Sequence, residues 1–166
     1  MFKAKVLGRA ELTARLAALV PEAEKQAEKA KLEVAQEAAM LISARAPADT
    51  GEYRNEIVGG YQRDHHAKST LSMQKSKDPD ATGVFGPFIW RFLEFGSRAH
   101  MIKAKPGEKL AFKTAEGESV FTRGVRHPGT PAQPHIFPTW RAYKPKAKRK
   151  IANAINKAVR AARKKG

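Results

Sequence analysis

The tripeptide Asp49-Thr50-Gly51 is the first stretch that could carry chemistry, because aspartic proteases hold their catalytic carboxylate in the same three residues. In a dimeric protease, two such carboxylates share one proton. Here a helical pattern and Pro47 precede the tripeptide and Glu52 follows it, whereas the protease loop follows an apolar strand and continues with a small residue. A turn explains the same residues: Asp49 and Thr50 accept backbone N–H bonds, and Gly51 takes an unusual backbone angle. A DTG protease stays an alternative.

Other titratable residues do not form a recognisable site. Asp64, His65 and His66 are potential metal ligands, but adjacent side chains rarely converge on one ion and no HExxH-type spacing is present. Glu94 lies among aromatic residues in WRFLEFGSRAH, so its carboxylate needs an arginine, a backbone N–H or a neighbouring subunit as its partner. A general acid would need a second titratable group in a pocket. We therefore predict no catalytic residue, no metal and no cofactor.

Charge is the strongest compositional signal. The chain has 166 residues, no cysteine and a net charge of +16. The absence of cysteine excludes disulfides and thiolate metal sites. Residues 141–166 hold 11 basic residues and no acidic one, which favours a polyanionic partner such as nucleic acid, an acidic protein surface or a membrane face. The candidate DNA or partner contacts are Lys148, Arg149, Lys150, Lys157, Arg160, Arg163, Lys164 and Lys165.

Two amphipathic helices frame the chain. Residues 10–45 repeat apolar side chains at three- and four-residue steps, and Pro47 ends this helix. The expected apolar stripe consists of Ala27, Ala30, Val34, Ala38, Leu41 and Ile42. The opposite face, which includes Glu37, has the spacing of charge pairs along one helix. A second, basic helix is expected over about 139–164.

Short strands and loops are expected between the helices. Residues 61–82 are polar and predict a long loop or a loose hairpin that is mobile in the isolated subunit, followed by a strand and loop region over 83–138. Apolar runs at 110–112 and 119–121 flank a turn, which is typical of a β-hairpin. The four prolines of HPGTPAQPHIFP predict an extended connector. The fold class is therefore α+β, with both helices packed on a small antiparallel sheet, and with a main domain over 1–143 and a basic helix or tail over 144–166.

Four motifs in order resemble the tail-component family of long-tailed phages, the gene-product-ten family of lambdoid phages. A long helix leads into ARAPADTGEYRNEI, similar to the family's A-P-x-D-T-G-x-L-R-x-S-I. VFGPFIWRFLEFGS is similar to V-G…Y-Y-A-R-F-V-E-F-G-T, AHMIKAKPGEKLAF to a basic stretch before a strand, and VRHPGTPAQPHIFPTW to V-x-H-P-G…P-x-P-F-L-x-P-A. Tyr53 occupies a position where the family pattern has Leu, and His135 occupies a position where the pattern has Phe. The motif residues are Pro47, Asp49, Thr50, Gly51, Glu94, Phe95, Gly96, His127, Pro128, Gly129, Pro134 and Pro138.

The resemblance implies a non-enzymatic virion protein, made in the host cytoplasm and placed at the head–tail junction. It implies a homo-oligomeric ring, a hexamer to match the tail tube, in contact with neighbouring neck and tail-tube proteins and without a membrane partner. Within WRFLEFGSRAH we expect Phe92, Leu93 and Phe95 to pack inside, and Glu94 to pair in the subunit or across a seam. The 61–82 and 97–109 segments are candidate arms that order on assembly. Tail completion, tail termination and a head-side adaptor or stopper ring stay open, as does a non-specific nucleic-acid-binding protein.

Overall fold

The computed structural model describes residues 9–164 except 73, 75, 115 and 116. The elements are α1 (Arg9–Arg45), α2 (Glu52–Asn55), β1 (Val58–Tyr61), β2 (Ser69–Thr70), β3 (Thr82–Gly86), α3 (Trp90–Phe95), β4 (His100–Lys103), β5 (Leu110–Lys113), β6 (Ser119–Thr122), β7 (Gly124–His127) and α4 (Ile136–Lys164). The predicted α+β class is confirmed, with long helices at both ends of the chain and small antiparallel sheets between them.

The chain forms two compact units. The helical unit contains the chain up to Phe88 together with the chain from His135 onward, and so holds α1, α2, α4 and the sheet of β1, β2 and β3. The ribbon unit, Ile89–Pro134, holds α3 and two separate two-stranded ribbons, β4–β7 and β5–β6. The motif-bearing segments are divided between these units.

Helices α1 and α4 pack side by side in the helical unit and run antiparallel. Arg45 at the end of α1 donates to Thr139 at the start of α4 (3.5 Å), while Glu33, earlier in α1, pairs with Lys150, later in α4 (3.1 Å). Their shared core contains Val34, Ala38, Tyr143 and Ala147, with Val84 and Ile151 packed against it. Alanine on both helices lets the backbones approach closely, and Tyr143 supplies the volume between them.

The predicted apolar stripe of α1 is confirmed at its centre and wrong at one position. Ala30, Val34, Ala38 and Ile42 are buried, whereas Leu41 is 40% exposed. Ala35 and Ala39 are buried instead. The buried face therefore includes Ala35 and Ala39, and Leu41 lies outside it.

The sheet of the helical unit lies directly on α1. Its strand order is β1-β3-β2, antiparallel throughout, with Val58 opposite Phe85 and Ser69 opposite Gly86. A Cβ placed on Gly59 would lie 2.3 Å from the carbonyl oxygen of Ala35. Only glycine therefore allows β1 to cross α1 at this distance, and Phe85 is 2% exposed as a result of the packing around β3.

The predicted loop over 61–82 contains regular structure. It includes a 3-10 turn (Gln62–Asp64), strand β2 and the first residue of β3. Backbone hydrogen bonds from Gln62 N–H to Ala81 (2.9 Å) and from Leu71 N–H to Val84 (2.9 Å) hold it in register. Polar side chains made the segment resemble a loop, because these main-chain bonds leave no trace in its hydrophobic pattern.

The proposed boundary between residues 143 and 144 falls inside one continuous helix. Helix α4 begins at Ile136, earlier than the expected position near 139, and Tyr143 and Ala147 on either side of the boundary belong to one core. The extended connector is therefore shorter than predicted. Pro138 lies in the first turn of α4, where a missing N–H costs little because that group has no partner within the helix.

A polar cluster joins the two helices around Glu37. The Tyr143 hydroxyl donates to Oε2 of Glu37 (2.8 Å), and the Nζ atoms of Lys146 and Lys150 donate to its carboxylate (2.5 and 3.4 Å). The bonds from Lys146 and Tyr143 lower the pKa of Glu37 from 4.5 to about 2. Burial, followed by the bond to Glu37, raises the pKa of Tyr143 to about 12. The predicted charge pairing along α1 is thus wrong at Glu37, which binds α4 instead.

We expect Glu37→Gln to lower the free energy of unfolding at pH 7 by about 1–2 kcal/mol, because charge-assisted hydrogen bonds are lost at a partly exposed site. The pKa of Glu37 is lowered in the folded chain. Its contribution is therefore complete above pH 4.5 and is lost as the pH falls towards about 2. Chemical denaturation at several pH values measures this. Glu33→Gln, which removes a carboxylate that contacts only Lys150 among these groups, is the matched control. An equal loss at pH 2 and pH 7 would contradict this account.

Candidate assembly interface

The side chains that α3 buries are not the ones predicted from the sequence. Trp90 and Glu94 are 1% and 2% exposed, whereas Phe92 and Phe95 are 52% and 55% exposed. Residues four apart share one face of a helix, so Trp90 and Glu94 point inward together and the two phenylalanines lie elsewhere on the surface. The expectation that Phe92, Leu93 and Phe95 pack inside is wrong for the two phenylalanines, whereas Leu93 is half-buried. Glu94 is buried within the single chain, and its pairing in the subunit or across a seam stays a prediction.

The EFG motif (residues 94–96) and the HPG motif (residues 127–129) meet in the ribbon unit. Ser97 and Thr130 exchange backbone hydrogen bonds of 2.9 and 3.1 Å. Gly96 and Gly129 flank this bridge with φ angles of 73° and 93°. A Cβ on Gly96 would lie 2.6 Å from the oxygen of Thr130, and one on Gly129 would lie 2.3 Å from the oxygen of Ser97. Both glycines are therefore required by the backbone angle and by the close approach of the two segments.

The DTG segment forms a turn in the helical unit. Gly51 has a φ of 85°, as the turn interpretation predicts, and Oγ1 of Thr50 accepts the N–H of Glu52 (3.4 Å) at the start of α2. The side chain of Arg54 donates to the carbonyl of Ala46 (2.8 Å) and so fixes α2 on the end of α1. Pro47, half-buried, leads from α1 into this turn.

Two departures from the family pattern contact each other. The Tyr53 hydroxyl lies 2.8 Å from Nε2 of His135, and the two rings meet edge to face at 5.6 Å. The pattern has Leu and Phe at these positions, so a polar pair stands where the pattern places an apolar pair. His135 is 2% exposed, and this bond ties α2 to the residue that precedes α4.

The remaining titratable residues of the sequence analysis are dispersed. The ring of His65 packs on Phe85 (4.9 Å between centroids), while Asp64 lies beside Arg63 (3.9 Å). Within the described residues no group of three or more His, Cys, Asp or Glu side chains is placed to hold a metal ion. His127 ends β7 and stacks on His100 across the ribbon, and Pro128 and Pro134 are exposed on the connector.

Basic side chains of α4 cover its solvent face. Lys148, Arg149, Lys157 and Arg160 are exposed, whereas Lys150 is half-buried and pairs with Glu33 and Glu37. Lys150 therefore acts inside the subunit and is removed from the set of candidate partner contacts. Arg163 and Lys164 belong to α4, but their side chains lie outside the described residues, as does Lys165 altogether. No helix in the described part of the chain is long and apolar enough to cross a membrane.

Large apolar side chains are concentrated on the surface of the ribbon unit, and the sequence analysis missed them. Met101 is 55% exposed, Ile102 38%, Phe112 41% and Phe121 64%, in addition to Phe92 and Phe95. Each ribbon has only two strands. An isolated two-stranded ribbon is marginally stable in water and exposes both faces. The available signal was the alternation in 110–112 and 119–121, which places apolar residues on both faces of a hairpin.

A cleft in the helical unit was also missed. It measures about 580 Å³ and lies between α1, the sheet and α4, with a mainly apolar lining that includes Val34, Leu71, Phe85 and Trp140. Lys31 and the polar residues between β2 and β3 stand at this cleft. Its lining comes from segments far apart in the chain, so no local pattern could have indicated it.

Replacement of Gly96 by alanine tests the joint between the EFG and HPG motifs. Gly107 also has a positive φ, of 85°, but nothing lies within 4 Å of a Cβ placed there. Gly107→Ala therefore has the cost of an alanine at a positive φ without a steric clash. We expect Gly96→Ala to increase amide exchange at Ser97 and Thr130 at least tenfold more than Gly107→Ala does. Hydrogen exchange measured by NMR distinguishes the two, and equal exchange in both variants would remove the proposed steric role of Gly96.

A comparison with protein-family models matches residues 10–96 to a family described as "Bacteriophage HK97-gp10, putative tail-component". The match covers α1, the DTG turn, the three-stranded sheet and α3 up to Gly96. No curated protein and no solved structure matches the chain.

Proposed function

The chain belongs to the HK97-gp10 family of bacteriophage tail components, and we propose that it acts as a head–tail joining or tail-completion protein. In this role it forms a ring around the DNA channel, between neighbouring neck proteins and the tail tube. The ring is proposed to be a hexamer, in keeping with the six-fold symmetry that the resemblance implies for the tail tube. The proposed location of the protein is the virion, and its proposed role is structural rather than catalytic.

The exposed apolar residues of the ribbon unit carry this proposal. Several large apolar side chains that stay exposed in one small unit are typical of a surface that binds another protein. Phe92, Phe95 and Phe121 are each more than half exposed. Aromatic side chains on a surface are typical anchors of protein–protein interfaces. Assembly with other virion proteins or with further copies would bury them.

Tail termination and a head-side adaptor or stopper ring are alternatives within the same class. Each uses a ring on the channel, and the three differ in which neighbour the ring contacts and in what happens to tail length when the ring is missing. A non-specific nucleic-acid-binding protein is the more distant alternative, in which α4 would bind DNA without assembly. The apolar surface of the ribbon unit favours the ring, since DNA phosphates do not cover apolar side chains.

The basic face of α4 is proposed to meet an adjoining ring, with DNA in the channel as a second contact. Lys148, Arg149, Lys157 and Arg160 are exposed along one helix that also carries no acidic residue. A channel through which DNA slides gains nothing from tight phosphate binding, and contacts with phosphates weaken strongly with salt. An acidic rim on a neighbouring ring would use the same charges for attachment.

A phage that lacks this gene tests the junction role. We expect lysates to contain DNA-filled heads and separate tails, which negative-stain electron microscopy distinguishes directly. Tails of normal length would indicate a joining or completion protein, and over-long tails would indicate a terminator. Complete virions in normal numbers would refute the proposal.

Charge reversal on α4 tests the use of its basic face. The combination of Arg149→Glu, Lys157→Glu and Arg160→Glu is expected to reduce the yield of joined particles by at least tenfold while the subunit remains folded, because all three side chains are exposed. Reversal of three exposed bases elsewhere, Lys25, Lys29 and Lys77, is the control for net charge. Plaque counts and circular dichroism measure the two effects. Equal yields for both triple variants would contradict a specific role of α4.

A further inference from the structure

The β4–β7 ribbon gathers two cations on one of its faces. Its strands are antiparallel, with Met101 opposite Arg126 and Lys103 opposite Gly124. Because successive residues of a strand point to opposite faces, these four residues share one face of the ribbon. A Cβ placed on Gly124 would lie 3.8 Å from Cε of Met101 and 3.9 Å from Cγ of Lys103, so these two side chains flank the glycine. We call the surface formed by Met101, Lys103, Gly124 and Arg126 the Arg126 face.

The Arg126 face is open to solvent, and its cations are not neutralised. Lys103 and Arg126 are exposed, and Met101 is 55% exposed. Within the described part of the chain, neither cation forms an ion pair with an acidic side chain. Two exposed cations without a carboxylate between them attract a polyanion.

The acidic residues of the ribbon unit for which the structure describes a side chain lie outside β4 and β7. Glu94 is buried in α3, Glu108 lies in the turn that follows β4, and Glu118 lies in the turn between β5 and β6. The two strands themselves contain no Asp or Glu. The positive charge of the Arg126 face therefore belongs to this ribbon and is not part of an alternating pattern of charges.

The shape of the ribbon favours double-stranded DNA over an acidic protein. The major groove of B-DNA is about 12 Å wide and admits a two-stranded β-ribbon. Strands β4 and β7 pair only with each other, so the ribbon is no wider than two strands. The phosphates that border the groove suit Lys103 and Arg126, and its thymine methyl groups suit Met101. Protein interfaces are enriched in aromatic side chains, and the Arg126 face has none.

We propose that the Arg126 face of the β4–β7 ribbon binds double-stranded DNA, with Lys103 and Arg126 on its phosphates. This inference rests on the proposed ring for the location of the DNA, which is the channel, and it assigns a DNA contact to a surface other than α4. Gly124 has no side chain, so a phosphate can approach the ribbon between Met101 and Lys103. Two cations for each subunit give a contact that weakens with salt and lets DNA slide.

A thiol introduced on either face of the ribbon tests the contact, because the chain has no cysteine of its own. Met101→Cys places a thiol on the Arg126 face, and Ile102→Cys, the matched control, places one on the opposite face of the same strand. With a DNA duplex at about ten times its Kd, we expect alkylation of Met101→Cys by a maleimide to slow about tenfold and that of Ile102→Cys to stay unchanged. Equal protection of both thiols, or protection of neither, would overturn the proposal.

Poly-glutamate distinguishes DNA from an acidic protein as the partner. It is added to the Met101→Cys protein at the same concentration of negative charge as the duplex. We expect it to give less than half of the protection that the duplex gives, because it has the charge of DNA without a groove. Equal or greater protection by poly-glutamate would overturn the choice of DNA.

The salt dependence of duplex binding tests the two cations. Lys103→Ser combined with Arg126→Ser is expected to reduce the slope of log K against log salt concentration by about 2, since each cation that leaves a phosphate lowers it by about 1. Lys25→Ser combined with Lys77→Ser removes the same charge from exposed positions of the helical unit and is the control. Equal changes of slope in both double variants would refute a specific role of the Arg126 face.

The alkylation assay and the particle separate this inference from the proposed function. The assay uses the purified full-length chain and does not depend on assembly. Protection of Met101→Cys by the duplex combined with absence of the protein from virions would keep the DNA contact and refute the junction role. Protein that is present in virions, but whose Met101→Cys thiol the duplex does not protect, would refute the DNA contact alone.

Discussion

The antiparallel packing of α1 on α4 is the constraint on which the rest of the helical unit depends. Alanines at the contact let the two backbones approach, Tyr143 fills the space between them, and Glu37 accepts hydrogen bonds from three α4 side chains. Strand β1 crosses the same helix, α1, where Gly59 lies against the carbonyl of Ala35. The apolar cleft lies between these elements, so its shape follows from the same contact.

Much of the fold was readable from periodicity, because a long helix and a hairpin each repeat a pattern locally. The stripe of α1 and the β5–β6 hairpin were predicted on that basis. The buried side of α3 was not predicted correctly, because six residues make less than two turns and show no clear period. Aromatic type alone suggested burial for Phe92 and Phe95, which are exposed. The structure of 61–82 rests on main-chain bonds to distant residues, such as Leu71 to Val84, which no local window contains.

Three glycines of the motifs have specific roles in the backbone. Gly96 and Gly129 permit one backbone bridge, between Ser97 and Thr130, and Gly51 permits the turn into α2. Tyr53 and His135 form a polar contact across 82 positions of sequence, at positions where the family pattern has two apolar residues. The sequence shows both departures from the pattern, but only the structure shows that the two side chains contact each other. The basic face of α4 and the exposed apolar side chains of the ribbons have no such role within the subunit, and the proposed ring would use these two surfaces.

The number of copies of this protein in each virion tests the central claim most directly. Quantitative mass spectrometry of purified particles, calibrated with labelled peptides of this chain and of the tail-tube protein, gives that number. A role in one junction ring predicts a small fixed copy number equal to a single hexamer, far below that of the tube protein. Absence from the particle, or a copy number that scales with tail length, would contradict it.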